Sequence, residues 1–137
     1  MIPIEDYKVY IQEKRLNMIL EDQEAILEEA ELTAQQVVDD HLYPYYDSAA
    51  LFAALNSYRS VKRWIMVITM YFVYERIPDA LVPERVVKNY DDVMGTLSRI
   101  SDGKASVNLP RLTTTTNGVE KENTKFRWGS EAKRTHN

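Results

Sequence analysis

Few residue types in this chain could carry chemistry, and they are scattered. His41 follows Asp39 and Asp40, types that can hold a metal or pass protons. Residues one or two apart on a helix do not face each other, so this is read as a histidine at a helix end near the core. Glu28-Glu29 and Asp91-Asp92 are paired carboxylates in sequence. They fall opposite the apolar stripes of amphipathic stretches and are read as solvated faces. His136 stands in the terminal tail and is assigned no role. There is no glycine-rich phosphate loop, no G-x-S-x-G elbow and no HExxH. Four glycines leave little material for a phosphate cradle. The chain reads as no enzyme, and it calls for no cofactor and no metal.

Binding features are more distinct. Arg59, Lys62 and Arg63 cluster at the start of a long apolar run, where they could touch phosphate or form ion pairs, within the chain or with another subunit. The ion pairs are the preferred reading. Tyr43, Tyr45 and Tyr46 could stack on bases. A Tyr-rich loop more often caps a core with its hydroxyls in water. Phe126 and Trp128 alternate with Lys125 and Arg127. Such a segment can lie in a groove, add a strand to a sheet edge, or contact nucleic acid. Lys125, Phe126, Arg127 and Trp128 are the docking candidates, with Arg111 and Lys121 beside them.

The element that positions everything else is the run Tyr58–Ile77. From Trp64 to Tyr74 only Thr69 is not apolar. A membrane span needs about 20 apolar residues. This run is shorter and is flanked by Lys62, Arg63, Glu75 and Arg76. A helix that is apolar all round is one surrounded by others. Residues 4–20 keep a rough helical spacing, as one or two pieces. Asp22 can cap a helix reaching about Leu42, with the stripe Ile26/Leu27, Ala30, Ala34, Val37/Val38 and Leu42. Glu28, Glu29, Glu31, Asp39 and Asp40 are placed on its outward face. Pro44 breaks that helix. Asp47 or Ser48 can cap a short one, and Pro78 ends the apolar run. Pro83 suits the first turn of a last helix, whose stripe Val86/Val87, Tyr90, Val93/Met94, Leu97, Ile100 stops at Asp102-Gly103.

The chain has 137 residues and no cysteine, so it has no disulfide framework. Its start, MIPIEDYKVY, shows no leader pattern. The net charge is −4. Residues 104–137 hold seven Lys/Arg and three acids, a net of +4, which leaves residues 1–103 at −8. An acidic body does not bind nucleic acid by counterion release. The basic segment holds eight apolar residues. Ordering its backbone costs about 1–2 kcal/mol per residue, which so few side chains do not offset. It is therefore predicted to order only on a partner. Within it, Thr113–Thr116 and Val119–Glu122 around Asn117-Gly118 read as a β-hairpin.

Between Ala30 and Pro110 the order of residues resembles the head completion or head–tail adaptor (connector) proteins of tailed bacteriophages, in particular the Mu-like group. The matching pieces are Val37, Val38, His41 and Leu42 before Tyr46-Asp47, then the apolar helix ending in Tyr71–Tyr74. Arg85, Tyr90-Asp91 and Leu97 follow, closing at Ile100-Ser101-Asp102-Gly103-Lys104 and then Leu109-Pro110. Where family members often have an Arg before the Tyr-Asp step, this chain has Tyr45. The resemblance implies a homo-oligomeric, commonly dodecameric ring in the virion neck, made in the host cytoplasm. Its partners would be the portal protein and a stopper or tail-completion protein. DNA would pass through without sequence recognition, and no membrane would be involved.

The resulting expectation is an all-α bundle of four or five helices over residues 1–103, with an extended C-terminal docking arm over 104–137. The expected function is a structural neck adaptor. The alternative is a small nucleic-acid-binding or regulatory helical protein that uses the basic arm. A third reading, a helical enzyme or ligand-binding bundle with a site inside, needs a pocket with converging polar groups.

Overall fold

In the computed structural model, which describes residues 2–20, 24–78, 81–116 and 119–122, with side chains as far as Thr113, six α-helices follow one another. They are α1 (Ile4–Tyr7), α2 (Glu13–Leu20), α3 (Glu24–Leu42), α4 (Ser48–Ala53), α5 (Arg59–Tyr74) and α6 (Glu84–Ser101), with a 3-10 turn at Leu55–Ser57. The expectation of four or five helices is corrected to six. The first twenty residues split at Lys8–Gln12, and the Tyr43-Pro44 break isolates α4. The residue proposed to cap α3, Asp22, lies outside the described residues.

α5 is the helix around which the others pack. Every residue from Trp64 to Met70 is buried, as expected for a helix covered on all sides. α3 and α6 pack against it and against each other, and α2 closes on α3 and α5. The covering thins at Tyr71 and Phe72, which are half-buried. There the Tyr71 ring stacks on Tyr90 of α6, with centroids 3.8 Å apart and planes within 13°.

Local signals fix the helix ends. The Asp47 carboxylate accepts from the Ala50 amide at 3.1 Å, an N-cap for α4. α6 starts directly after Pro83 and is closed just past its last residue, Ser101, by Gly103, whose φ is 77°. The Gly103 amide donates to the Ile100 carbonyl and the Lys104 amide to the Arg99 carbonyl. This paired closure requires a left-handed residue, which glycine adopts without a Cβ clash.

The expectation of an extended arm from residue 104 is also corrected. Ala105, Val107 and Leu109 pack on the core. The Asp47 amide donates to the Pro110 carbonyl, the Leu112 amide donates to the Tyr45 carbonyl, and Tyr46 forms a β-bridge with Arg111. The loop after α3 thus offers backbone partners that the segment takes up. Further on, β1 (Thr113–Thr116) and β2 (Val119–Glu122) run antiparallel, with Thr113 opposite Glu122. Among the described residues no strand enters the helical bundle itself, and no helix is long and apolar enough to cross a membrane.

Candidate functional site

The basic cluster at the start of α5 divides. Lys62 turns inward: its Nζ lies 2.6 Å from Asp6 Oδ2 and donates to Asn56 Oδ1 at 2.9 Å. This joins α5 to α1 and to the 3-10 turn. Arg59 and Arg63 are exposed. With Lys62 they border an open groove whose other walls include Val9, Tyr10 and Met66. Val9 is 82% exposed, a large apolar side chain directly beside two cations.

The tyrosine loop does not form a stacking platform. Tyr46 is buried, its hydroxyl accepts from the Val107 amide at 3.2 Å, and the Arg111 guanidinium lies 5.3 Å from its ring centroid. Tyr46 and Arg111 therefore seat the segment after Gly103 on the bundle. Tyr45 is half-buried and Tyr43 is 60% exposed. His41 is half-buried. Its Nδ1 lies 2.8 Å from the Val37 carbonyl, so that nitrogen carries the proton and donates. It belongs to the end of α3, and among the described residues no three His, Cys, Asp or Glu side chains gather into a metal set.

One charged residue expected in solvent lies instead in the core. Glu31, expected on the outward face of α3, is only 2% exposed. It falls in line with Leu27, Ala34, Val38 and Leu42, the buried stripe of α3. Its carboxylate accepts from the Tyr7 hydroxyl at 2.7 Å and from the Ile2 amide at 2.9 Å. Nearby on α5, Thr69 donates to the Ile65 carbonyl at 2.7 Å. Burial, reinforced by the Glu31 hydrogen bond and charge, pushes the Tyr7 hydroxyl well above its usual pKa. A buried carboxylate needs such donors, and these two fix the N-terminal segment to α3. The signal was present in the spacing, since Glu31 is four residues from Leu27 and three from Ala34.

Two further open grooves have apolar walls. One, beside α2, is lined by Met18, Ile19, Ile77 and Leu81, with Lys14 and Arg15. Met18 and Leu81 are 70% and 59% exposed. The other runs between α3 and α5, with Ile26, Ala30 and Phe72 as its floor and Glu29 and Glu75 at its edge. The remaining docking candidates, Lys125, Phe126, Arg127 and Trp128, lie outside the described residues, as does the Lys121 side chain.

No curated protein and no solved structure matches the chain significantly. The sequence pattern described as Bacteriophage Mu, Gp36 matches residues 4–125. That match runs from the first helix through the bundle and past the second strand, so it covers the architecture just described. The chain belongs to the Bacteriophage Mu, Gp36 family, and in general terms it is a phage structural protein associated with the head–tail region.

Proposed function

We propose that this chain is the neck adaptor of a tailed phage. Its copies stand side by side in a ring, dodecameric by family resemblance, beneath the portal protein of the filled head. The ring joins the portal to a stopper or tail-completion protein and surrounds the DNA path without reading sequence. The observation that carries this reading is the family match over residues 4–125. The charge layout supports it. A body of net −8 over residues 1–103 repels the DNA backbone weakly and lets it pass. Arg59 and Arg63, exposed on α5, are placed to meet the acidic helix faces of an adjacent copy. Arg111 is already set against Tyr46, so its part in docking is to hold the segment that leads to Lys121, Lys125, Phe126, Arg127 and Trp128.

An amber mutant of the gene in its own phage tests the function. Infected cells are expected to accumulate DNA-filled heads and separate tails, and extracts containing the purified chain are expected to restore joining. Heads that still carry tails, or heads arrested before DNA packaging, would contradict the proposal.

A further inference from the structure

The two apolar grooves carry rims of opposite charge. Lys14 and Arg15 edge the groove beside α2, whereas Glu29 and Glu75 edge the groove between α3 and α5. Arg76 also reaches the second rim, but it is engaged within its own chain. The sequence holds one segment with the complementary pattern, Lys125-Phe126-Arg127-Trp128, in which cations and large aromatic rings alternate.

We propose that the α3–α5 groove receives residues Lys125–Trp128 of a second copy of this chain. The aromatic rings lie on the floor formed by Ile26, Ala30 and Phe72, and the cations face Glu29 and Glu75. The basic groove beside α2 repels the same segment, which selects between two otherwise similar surfaces. Chain length favours a second copy over self-docking. Glu122 is held opposite Thr113, next to the Leu112 amide that bonds Tyr45. That is the C-terminal end of α3. Ala30 stands twelve residues back along the helix, about 18 Å at ~1.5 Å per residue. Four residues of fully extended chain from Glu122 to Phe126 span at most ~14 Å. Phe126 of the same chain therefore falls short of Ala30 even when the chain runs straight back along α3. A copy standing alongside has no such restriction. This inference rests on the ring reading for the neighbour it requires.

The chain has no cysteine, so engineered pairs report docking cleanly. Full-length Ala30→Cys, carrying a mass tag, is mixed with full-length Trp128→Cys under mild oxidation. Docking supplies a high effective concentration, so the intermolecular disulfide is expected to form at least ~10-fold faster than between Lys14→Cys and Trp128→Cys. Reversing the rim with Glu29→Lys and Glu75→Lys is expected to abolish the preference. Thr33→Cys, on the groove edge, is a second reporter in case the change at Ala30 disturbs the floor. Equal rates at Lys14 and at the groove would overturn the proposal. So would a link that forms only inside a chain carrying both cysteines. The neck role is read separately, by restoration of head–tail joining. A chain that restores joining yet shows no preferential link rejects this contact and leaves that role standing.

Discussion

The Tyr7 hydroxyl donates to Glu31 Oε2 at 2.7 Å inside the bundle, joining the first helix to the third. The same carboxylate accepts from the Ile2 amide, so one buried acid holds the start of the chain. A hydrogen bond to a charged group contributes roughly 1.5–3 kcal/mol, and removing one partner leaves the other unsatisfied. Glu31→Ala is therefore expected to cost ~3–5 kcal/mol and Tyr7→Phe ~1–3 kcal/mol. Urea unfolding of each variant and of the double mutant reads both costs and their coupling. A Glu31→Ala cost within ~0.5 kcal/mol, the range of ordinary surface changes, would mean the acid is not held as described.

The same pair sets an alkaline limit. Burial and the Glu31 carboxylate raise the Tyr7 pKa in the folded state. In the unfolded chain the phenol ionises near pH ~10. Below that pH both states hold the proton, and the contribution of Tyr7 is fully present. Above it the unfolded chain releases the proton and the folded one does not, so stability falls as pH rises. The advantage of wild type over Tyr7→Phe is expected to shrink by about 1.4 kcal/mol between pH ~9 and ~11. An advantage that stays constant or grows across that range would show that Tyr7 is solvated.

Tyr46 anchors the segment after α6. Its hydroxyl accepts from the Val107 amide, and its ring lies under Arg111. Tyr46→Phe is expected to cost about 1 kcal/mol, one neutral hydrogen bond. Tyr46→Ala removes a buried aromatic side chain and is expected to cost ~3–5 kcal/mol. Hydrogen exchange localises the effect: the Val107 and Leu112 amides should lose protection first in both variants. Unchanged protection at these amides would mean that the segment is held elsewhere.

Two glycines should respond with opposite sign. Gly103 has a φ of 77°, so Gly103→Ala is expected to destabilise by roughly 1–2 kcal/mol. Gly95 sits inside α6, where an added Cβ meets nothing within 4 Å. Gly95→Ala is expected to stabilise by about 0.5–1 kcal/mol. Thermal unfolding of the two single variants checks both signs.

Much of this architecture could be read locally. The apolar run gave α5, Asp47 its cap, Pro83 and Gly103 the bounds of α6, and Pro44 the end of α3. Each of these depends on a few adjacent residues. What escaped was non-local. Glu31 was assigned to solvent from its charge, although its spacing from Leu27 and Ala34 placed it in the core. Its partners, the Tyr7 hydroxyl on α1 and the Ile2 amide just before that helix, lie more than twenty residues earlier in the chain. The seating of residues 105–112 depends on backbone groups of Tyr45 and Asp47 some sixty positions earlier, which no local pattern encodes. The basic cluster was legible as a cluster, but not that Lys62 alone turns inward to Asp6.

Light scattering of the purified portal, before and after addition of this chain, tests the neck role most directly. The expected result is a discrete complex whose added mass equals one copy of the chain per portal subunit, and which persists when DNA is absent. A portal mass that does not change, with the chain instead bound to free DNA in a salt-sensitive manner, would contradict it.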